Sequence, residues 1–336
     1  MKSQIPSLDS HHFPVMLSEI IEYTTPSKGG LYIDCTFGGG GYSEALLKFP
    51  KTKVIGIDRD GTVCSLAKRL KKKFKNRFQF HQIKFSQVDT IFKSCVDVII
   101  FDLGLSSIQL NNFKRGFSFK SRDDLDMKMG LTDISAKEVI NNMSEDQLRS
   151  IIKILGEEKE AFVIAKNIVI ARKKKKITKV HELVNIIKKS KKKIFSYKIN
   201  PCTRTFQAIR IFVNKEITEL VNGIINATKI LKPGGKLLIV TFHSIEDKII
   251  KYFFTNFSKN RSNPSRYLPY DTTNFNYLFE KYKNTIIKPS EIELAKNNPS
   301  RSAKLRFAIR SKNKFCYPDD LPKKFKKYLE LEAMSD

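Results

Sequence analysis

Short apolar runs punctuate the first third of the chain, and each closes on a polar or glycine-rich break. Residues 31–36 (LYIDCT) run into the glycines at 38–41. Residues 54–58 (VIGID) end on Asp58, residues 78–85 form a third run, and residues 96–101 (VDVIIF) end at Asp102. Between them, residues 43–49 and 62–74 have compositions that suit helices. Parallel strands need crossover connections and are covered on both faces. The alternation therefore predicts an α/β fold with a parallel sheet.

From about residue 111 to 200 the text turns polar and helical. Leu148, Ile151, Ile152 and Leu155 recur at helical spacing, as do Val180, Leu183, Val184 and Ile187. After Pro201 a single long helix is expected, because Phe206, Ile209, Val213, Ile217, Leu220, Ile224, Ala227 and Leu231 step by threes and fours up to Pro233-Gly234-Gly235. Residues 236–242 (KLLIVTF) and 304–309 (KLRFAI) read as returning strands, and residues 256–298 are loop-rich. The expected organisation is an α/β domain from residues 1–110 and 201–336, with residues 111–200 as a helical insertion. A length of 336 residues suits two such parts, at about 100–200 residues per domain.

Composition narrows the class. Hydrophobic residues make up 41% of the chain, which excludes a mostly disordered protein. No apolar run reaches the ~20 residues of a membrane span, and the first ten residues do not read as a signal peptide. Cys35, Cys64, Cys95, Cys202 and Cys316 are scattered and never form a CxxC pair, so a soluble, cytoplasmic protein without a disulfide framework or zinc ribbon is expected. His11 and His12 have no cluster of Cys or carboxylates beside them, and no metal is expected. Lys+Arg is 62 against 34 Asp+Glu, a net charge of +28. Such a charge suits a polyanion, a nucleic acid before an acidic membrane surface. Of the 62 basic residues 48 are lysine, and a lysine-rich codon bias produces the same number without a partner. The lysine runs at 173–176 and 188–193 are open to the same two readings, as phosphate grips or as solvated helix ends.

Candidate chemistry begins at the glycines. They follow a strand and open a helix, where backbone N–H groups are free and a ligand can approach closely. Asp58 lies twenty residues beyond Gly38, at the end of the next strand, where a carboxylate meets ribose hydroxyls. A dinucleotide fingerprint on Gly38 and Gly40 would need Gly or Ala at position 43, which is Ser43, and no Walker lysine follows. A nucleoside cofactor without a pyrophosphate fits better.

Ten segments in order then resemble one family. They are residues 12–17 (HFPVML), 34–43 (DCTFGGGGYS), 56–60 (GIDRD), 101–110 (FDLGLSSIQL), 115–119 (RGFSF), 125–129 (LDMKM), 200–214 (NPCTRTFQAIRIFVN), 231–235 (LKPGG), 241–247 (TFHSIED) and 298–306 (NPSRSAKLR). They resemble the bacterial RsmH (MraW) family. The resemblance implies a Rossmann-like class I S-adenosylmethionine-dependent methyltransferase sheet with a helical insertion, acting on N4 of a cytidine in the decoding centre of 16S rRNA. It carries the cofactor contacts to Gly40, Gly41, Tyr42, Asp58, Phe85, Asp102 and Gln109. Tyr42 stands where many members have His, and Ile108 replaces a usual Pro.

Cytosine N4 is a poor nucleophile because its lone pair is delocalised, so the site must orient it and accept its protons. Asp102 and Ser106, after the fourth strand, are candidates for that task, and His243, after the fifth, is a third. A reached base must leave its stack. Arg115, Phe117, Arg204, Arg210 and Arg301 are candidate substrate contacts, with Phe119, Phe206 and Arg306 also available. The expected partner is 16S rRNA or the small ribosomal subunit, and monomer or homodimer stays open. Two rivals stand beside this reading. A DNA amino methyltransferase would carry an Asn/Asp/Ser-Pro-Pro-aromatic loop where this chain has Asp102-Leu103-Gly104-Leu105. A non-catalytic RNA-binding ribosome-assembly factor would have no need of the cofactor residues.

Overall fold

The computed structural model describes residues 14–93, 96–191, 200–259, 276–280 and 282–335. His11, His12 and Cys95 lie outside the described residues. The chain divides into two compact units. One is formed by residues 1–104 and 223–318, the other by residues 105–222 and 319–336.

The first unit is built on a six-stranded sheet. Its strands are β1 (Gly30–Asp34), β2 (Thr52–Ile57), β3 (Phe78–His81), β4 (Val96–Asp102), β5 (Leu231–Thr241) and β6 (Lys304–Ile309). They lie in the order β3-β2-β1-β4-β5-β6. The first five strands run parallel and β6 pairs antiparallel to β5. Near-continuous burial of β2, β4 and β5 shows that both faces of the sheet are covered, as their apolar runs require. The third run is shorter than expected. β3 stops at His81, and residues Phe85–Gln87 form a helical turn instead.

The second unit is helical. Helices Ala136–Asn142 and Glu145–Gly156 both open with a capping box, Ser135 with Glu138 and Ser144 with Gln147, which satisfies N–H groups that a helix start leaves free. Leu148, Ile151, Ile152, Leu155, Val180, Leu183 and Ile187 are all fully buried, so both expected stripes are core. The unit extends beyond residues 111–200: it begins at Leu105 and takes in helix Thr203–Asn214 and the C-terminal helices.

The single long helix after Pro201 is a correction. It is two helices, Thr203–Asn214 and Glu216–Ile230. Lys215 between them has φ +50°, a left-handed conformation that ends a helix. The side chain of Asn214 fixes the stop, donating to the Met127 and Arg210 carbonyls and accepting from the Met129 N–H at 2.8 Å. Glu332 fixes the restart, accepting from the N–H groups of Ile217 (3.0 Å) and Thr218 (2.7 Å). Apolar periodicity continues through the break because both helices bury a face.

Candidate active site

The parallel strands deliver their carboxyl ends to one edge of the sheet, where α/β folds bind ligands. Asp34 ends β1, Asp58 follows β2, Asp102 ends β4, and Phe242 and His243 follow β5. The glycine loop joins β1 to helix Gly41–Leu47. Gly40 has φ +77°, and a Cβ there would meet the Phe37 ring at 2.8 Å. A Cβ on Gly41 would meet Pro14 Cγ at 2.6 Å. The loop therefore closes against Phe37 and Pro14 only because both residues lack side chains.

The acids tie this edge together. Asp58 Oδ2 accepts from the Gly38 N–H and Oδ1 from the Asp60 N–H, both at 2.8 Å. Asp34 Oδ2 accepts from the Ser43 hydroxyl at 2.8 Å. That contact explains why position 43 departs from the dinucleotide fingerprint. Burial pushes the Asp58 and Asp34 carboxyls each up to about 6, against these hydrogen bonds. The Thr36 hydroxyl oxygen accepts from the Asp102 N–H at 2.7 Å and links the ends of β1 and β4.

Asp102 is the least satisfied of the acids. Its Oδ1 is buried without a hydrogen-bond partner. Burial raises its carboxyl well above the usual range, and the charges of Asp34, Glu246 and Glu293 raise it further, while a hydrogen bond with Tyr42 opposes them. Tyr42 is itself buried, and its single hydroxyl proton is shared between the Val15 carbonyl and the Asp102 carboxyl. Converging carboxyls of this kind suit a positively charged ligand, which would favour their ionised forms.

The remaining expected residues are placed less simply. Phe85 packs edge-on to Phe101, ring centroids 5.2 Å apart, and against the backbone of Gly223, so the sheet unit's packing holds its ring. His243 is the N-cap of helix Ser244–Asn256. Its Nδ1 accepts from the Glu246 N–H at 3.4 Å, and Glu246 Oε2 accepts from the N–H groups of Phe242 and His243. In the structure the His243 ring serves as a helix cap through Nδ1. Ser106 and Gln109 belong to the helical unit, where they form the capping box of helix Ser107–Asn111. Ser106 Oγ accepts from the Gln109 N–H at 3.3 Å.

The candidate substrate residues divide. Arg301 is exposed in the sheet unit. Arg306 is not: it is 2% exposed, bonded to Asp247 at 2.8 Å and to the Tyr282 hydroxyl at 2.9 Å, so its guanidinium, expected to be available to substrate, is held by protein. In the helical unit, Arg210 forms a two-pronged ion pair with Glu216 at 2.7 and 2.8 Å, so its guanidinium is held by protein. Arg204 donates to the Glu157 carbonyl at 3.0 Å. Arg115 donates to the Lys128 carbonyl and lies 5.5 Å from the ring centroid of Phe117, which is buried, as is Phe206. Sequence reasoning missed Asp34, Ser43 and Glu293. The first two sat in a segment already singled out, and their nine-residue spacing across a strand–helix turn was the available signal. Glu293 comes from the loop-rich stretch, and nothing in the text around it marks it.

The sheet order, the glycine turn after its first strand and the acid-lined carboxyl edge define a Rossmann-like methyltransferase sheet. The chain belongs to the MraW methylase family, whose sequence profile matches residues 9–311. Ribosomal RNA small subunit methyltransferase H of Ehrlichia canis is 40% identical over 304 residues, covering 89% of this chain and 99% of the relative. The protein of the same name from Afipia carboxidovorans is 42% identical over 308 residues, covering 90% and 92%. A solved rRNA methylase from Streptococcus thermophilus overlays with 10% identity and a TM-score of 0.38, covering 87% of this chain and 95% of that one. Among the described residues no helix is long and apolar enough to cross a membrane.

Proposed function

We propose that the protein transfers a methyl group from S-adenosylmethionine to N4 of a cytidine in the decoding centre of 16S rRNA, as free RNA or in the small ribosomal subunit. When bound, the cofactor supplies an activated methyl on a sulfonium and carries a second positive charge on its amine. The observation that carries the reading is the Asp102 carboxyl, buried beside like charges with Oδ1 unpartnered. A cationic cofactor answers that arrangement, and a neutral or anionic one does not. Membership of a methylase family and the names of the relatives give the substrate class.

In this reading Asp58 holds the ribose hydroxyls, and Gly40 and Gly41 keep the loop open to the cofactor. Tyr42 holds the Asp102 carboxyl in place. Asp102 and the carbonyls of Leu103 and Gly104 orient the acceptor amine and take its proton as the nitrogen alkylates. No strong base is required beforehand, because the amine becomes acidic as it gains the methyl. Orientation of this kind contributes several kcal/mol, up to ~7–11 in the best intramolecular cases.

The test is direct. Purified protein is incubated with methyl-labelled S-adenosylmethionine and either naked 16S rRNA or assembled small subunits, and the labelled nucleotide is mapped. One N4-methylated cytidine is expected. Absence of transfer to both RNAs defeats the proposal, and label on another base or atom defeats its specificity.

A further inference from the structure

Helix Ala161–Lys174 is apolar on more than one face. Ala161, Ile164, Ala165 and Ile168 are buried in the helical unit. Phe162, Val163 and Ile170 are apolar too, yet they are 51%, 42% and 46% exposed. At roughly 100° per residue these three share an outward face with Lys166, Lys173 and Lys174. All three lysines are exposed, and no carboxylate pairs with them among the described residues, whereas Lys175 beside them is paired with Glu182 at 3.1 Å. Arg149, on helix Glu145–Gly156, places its guanidinium 5.4 Å from the Phe162 ring centroid.

We propose that this face binds a single-stranded stretch of RNA, with a base other than the methylated one stacked at Phe162 and Arg149 and phosphates on Lys166, Lys173 and Lys174. The inference rests on the reading of RNA as the substrate. Exposed aromatic rings and guanidinium planes hold unstacked bases, and lysines on the same face take the backbone charge. A helix C-terminus favours cations, which accounts for Lys173 and Lys174. It does not account for Lys166, nor for a phenylalanine, a valine and an isoleucine left in water on the same face. A second copy of this chain is a poor occupant, because a twofold contact would set the same lysines against each other.

The experiment uses the full chain and a fluorescently labelled 16S rRNA transcript, with affinity measured by anisotropy over a series of salt concentrations. The triple variant K166E/K173E/K174E is expected to bind at least about tenfold more weakly near 0.15 M salt and to lower the salt slope by about 2, since each phosphate contact contributes roughly 0.7. Phe162→Ala is expected to weaken binding by about tenfold with the slope unchanged, the mark of a lost stack. The triple K166R/K173R/K174R should keep wild-type affinity, and every variant should keep wild-type cofactor affinity. The arginine triple and Phe162→Ala should keep the wild-type melting temperature, while two glutamates in the last helical turn lower it modestly in the glutamate triple. Wild-type affinity and slope in both the glutamate triple and Phe162→Ala overturn this proposal while leaving the proposed function standing. Failure of the wild-type protein to bind or methylate the RNA at all defeats the proposed function first. Anionic phosphatidylserine vesicles provide the other arm: if Phe162→Ala abolishes vesicle binding and leaves RNA affinity unchanged, the face is a membrane surface and the RNA proposal falls.

Discussion

Two buried acids, one in each unit, are held in opposite ways. In the helical unit, Glu332 is fully buried and sits where donors converge. It accepts from Ile217 and Thr218 N–H groups and, at 2.6 Å, from the Thr218 hydroxyl. At the sheet's carboxyl edge, Asp102 is left with a buried oxygen that nothing donates to, among the like charges of Asp34, Glu246 and Glu293. A buried polar atom without a partner costs about 1–3 kcal/mol. At Glu332 two backbone N–H groups and the Thr218 hydroxyl remove that cost and fix a helix start. The sheet edge retains it, which makes sense where a ligand completes the bonding. In a chain of net charge +28, Asp34, Asp102, Glu246 and Glu293 gather where a cationic cofactor is expected, while Lys166, Lys173 and Lys174 are exposed on one helix face.

The sharpest test of this contrast is Asp34, whose carboxyl is pushed up to about 6 by burial. A raised carboxyl favours the folded state while it is protonated, so its stabilising contribution is full below the unfolded value near 4. It is lost as pH rises through about 6. Asp34→Asn cannot ionise. Its unfolding free energy, from urea titrations between about pH 4 and pH 7, should climb relative to wild type by about 3 kcal/mol across that window in the absence of cofactor. A flat difference would mean that the edge is not a strained acidic cluster. S-adenosylmethionine should narrow the gap, since a nearby cation restores the ionised form.

Asp58→Ala comes next. Removing a charged hydrogen-bond acceptor costs about 1.5–3 kcal/mol, so cofactor affinity by calorimetry should fall about 10- to 100-fold. The Gly38 and Asp60 N–H groups lose their acceptor as well, and a modest fall in melting temperature should accompany the change. Unchanged affinity would remove the ribose assignment. On the helical side, Arg210→Ala breaks the forked pair with Glu216 and should cost about 1–2 kcal/mol of stability. RNA affinity should stay within about twofold, because the guanidinium serves the fold. A large loss of RNA affinity at unchanged stability would return Arg210 to the substrate.

The sheet was legible because its code is local. Apolar runs, a glycine break and an acid at the ends of β1, β2 and β4 can be read one segment at a time. The helix break at Lys215 was not legible, because periodicity runs straight through it. The break is set by Asn214 reaching Met127 and Met129, and by Glu332 from the far end of the chain. The site shows the same division. Asp58 and the glycines follow from spacing, and resemblance added Tyr42 and Asp102. The fates of Arg306 and Arg210 depended on partners, Asp247 and Glu216, that no local pattern reveals.

His243 carries the smallest expected effect and separates two accounts most cleanly. As a cap, it supplies one acceptor to the Glu246 N–H, and Asn supplies the same acceptor at a helix start at least as well. His243→Asn should therefore keep methyl transfer within about twofold and stability within about 0.5 kcal/mol, whereas His243→Ala should lose about 1 kcal/mol of stability. A proton acceptor in the reaction would fail equally in both variants. Single-turnover methyl transfer measured across pH for the Asn variant distinguishes the two accounts. A large loss of rate in both variants, with melting unchanged in His243→Asn, would move His243 from the scaffold to the chemistry.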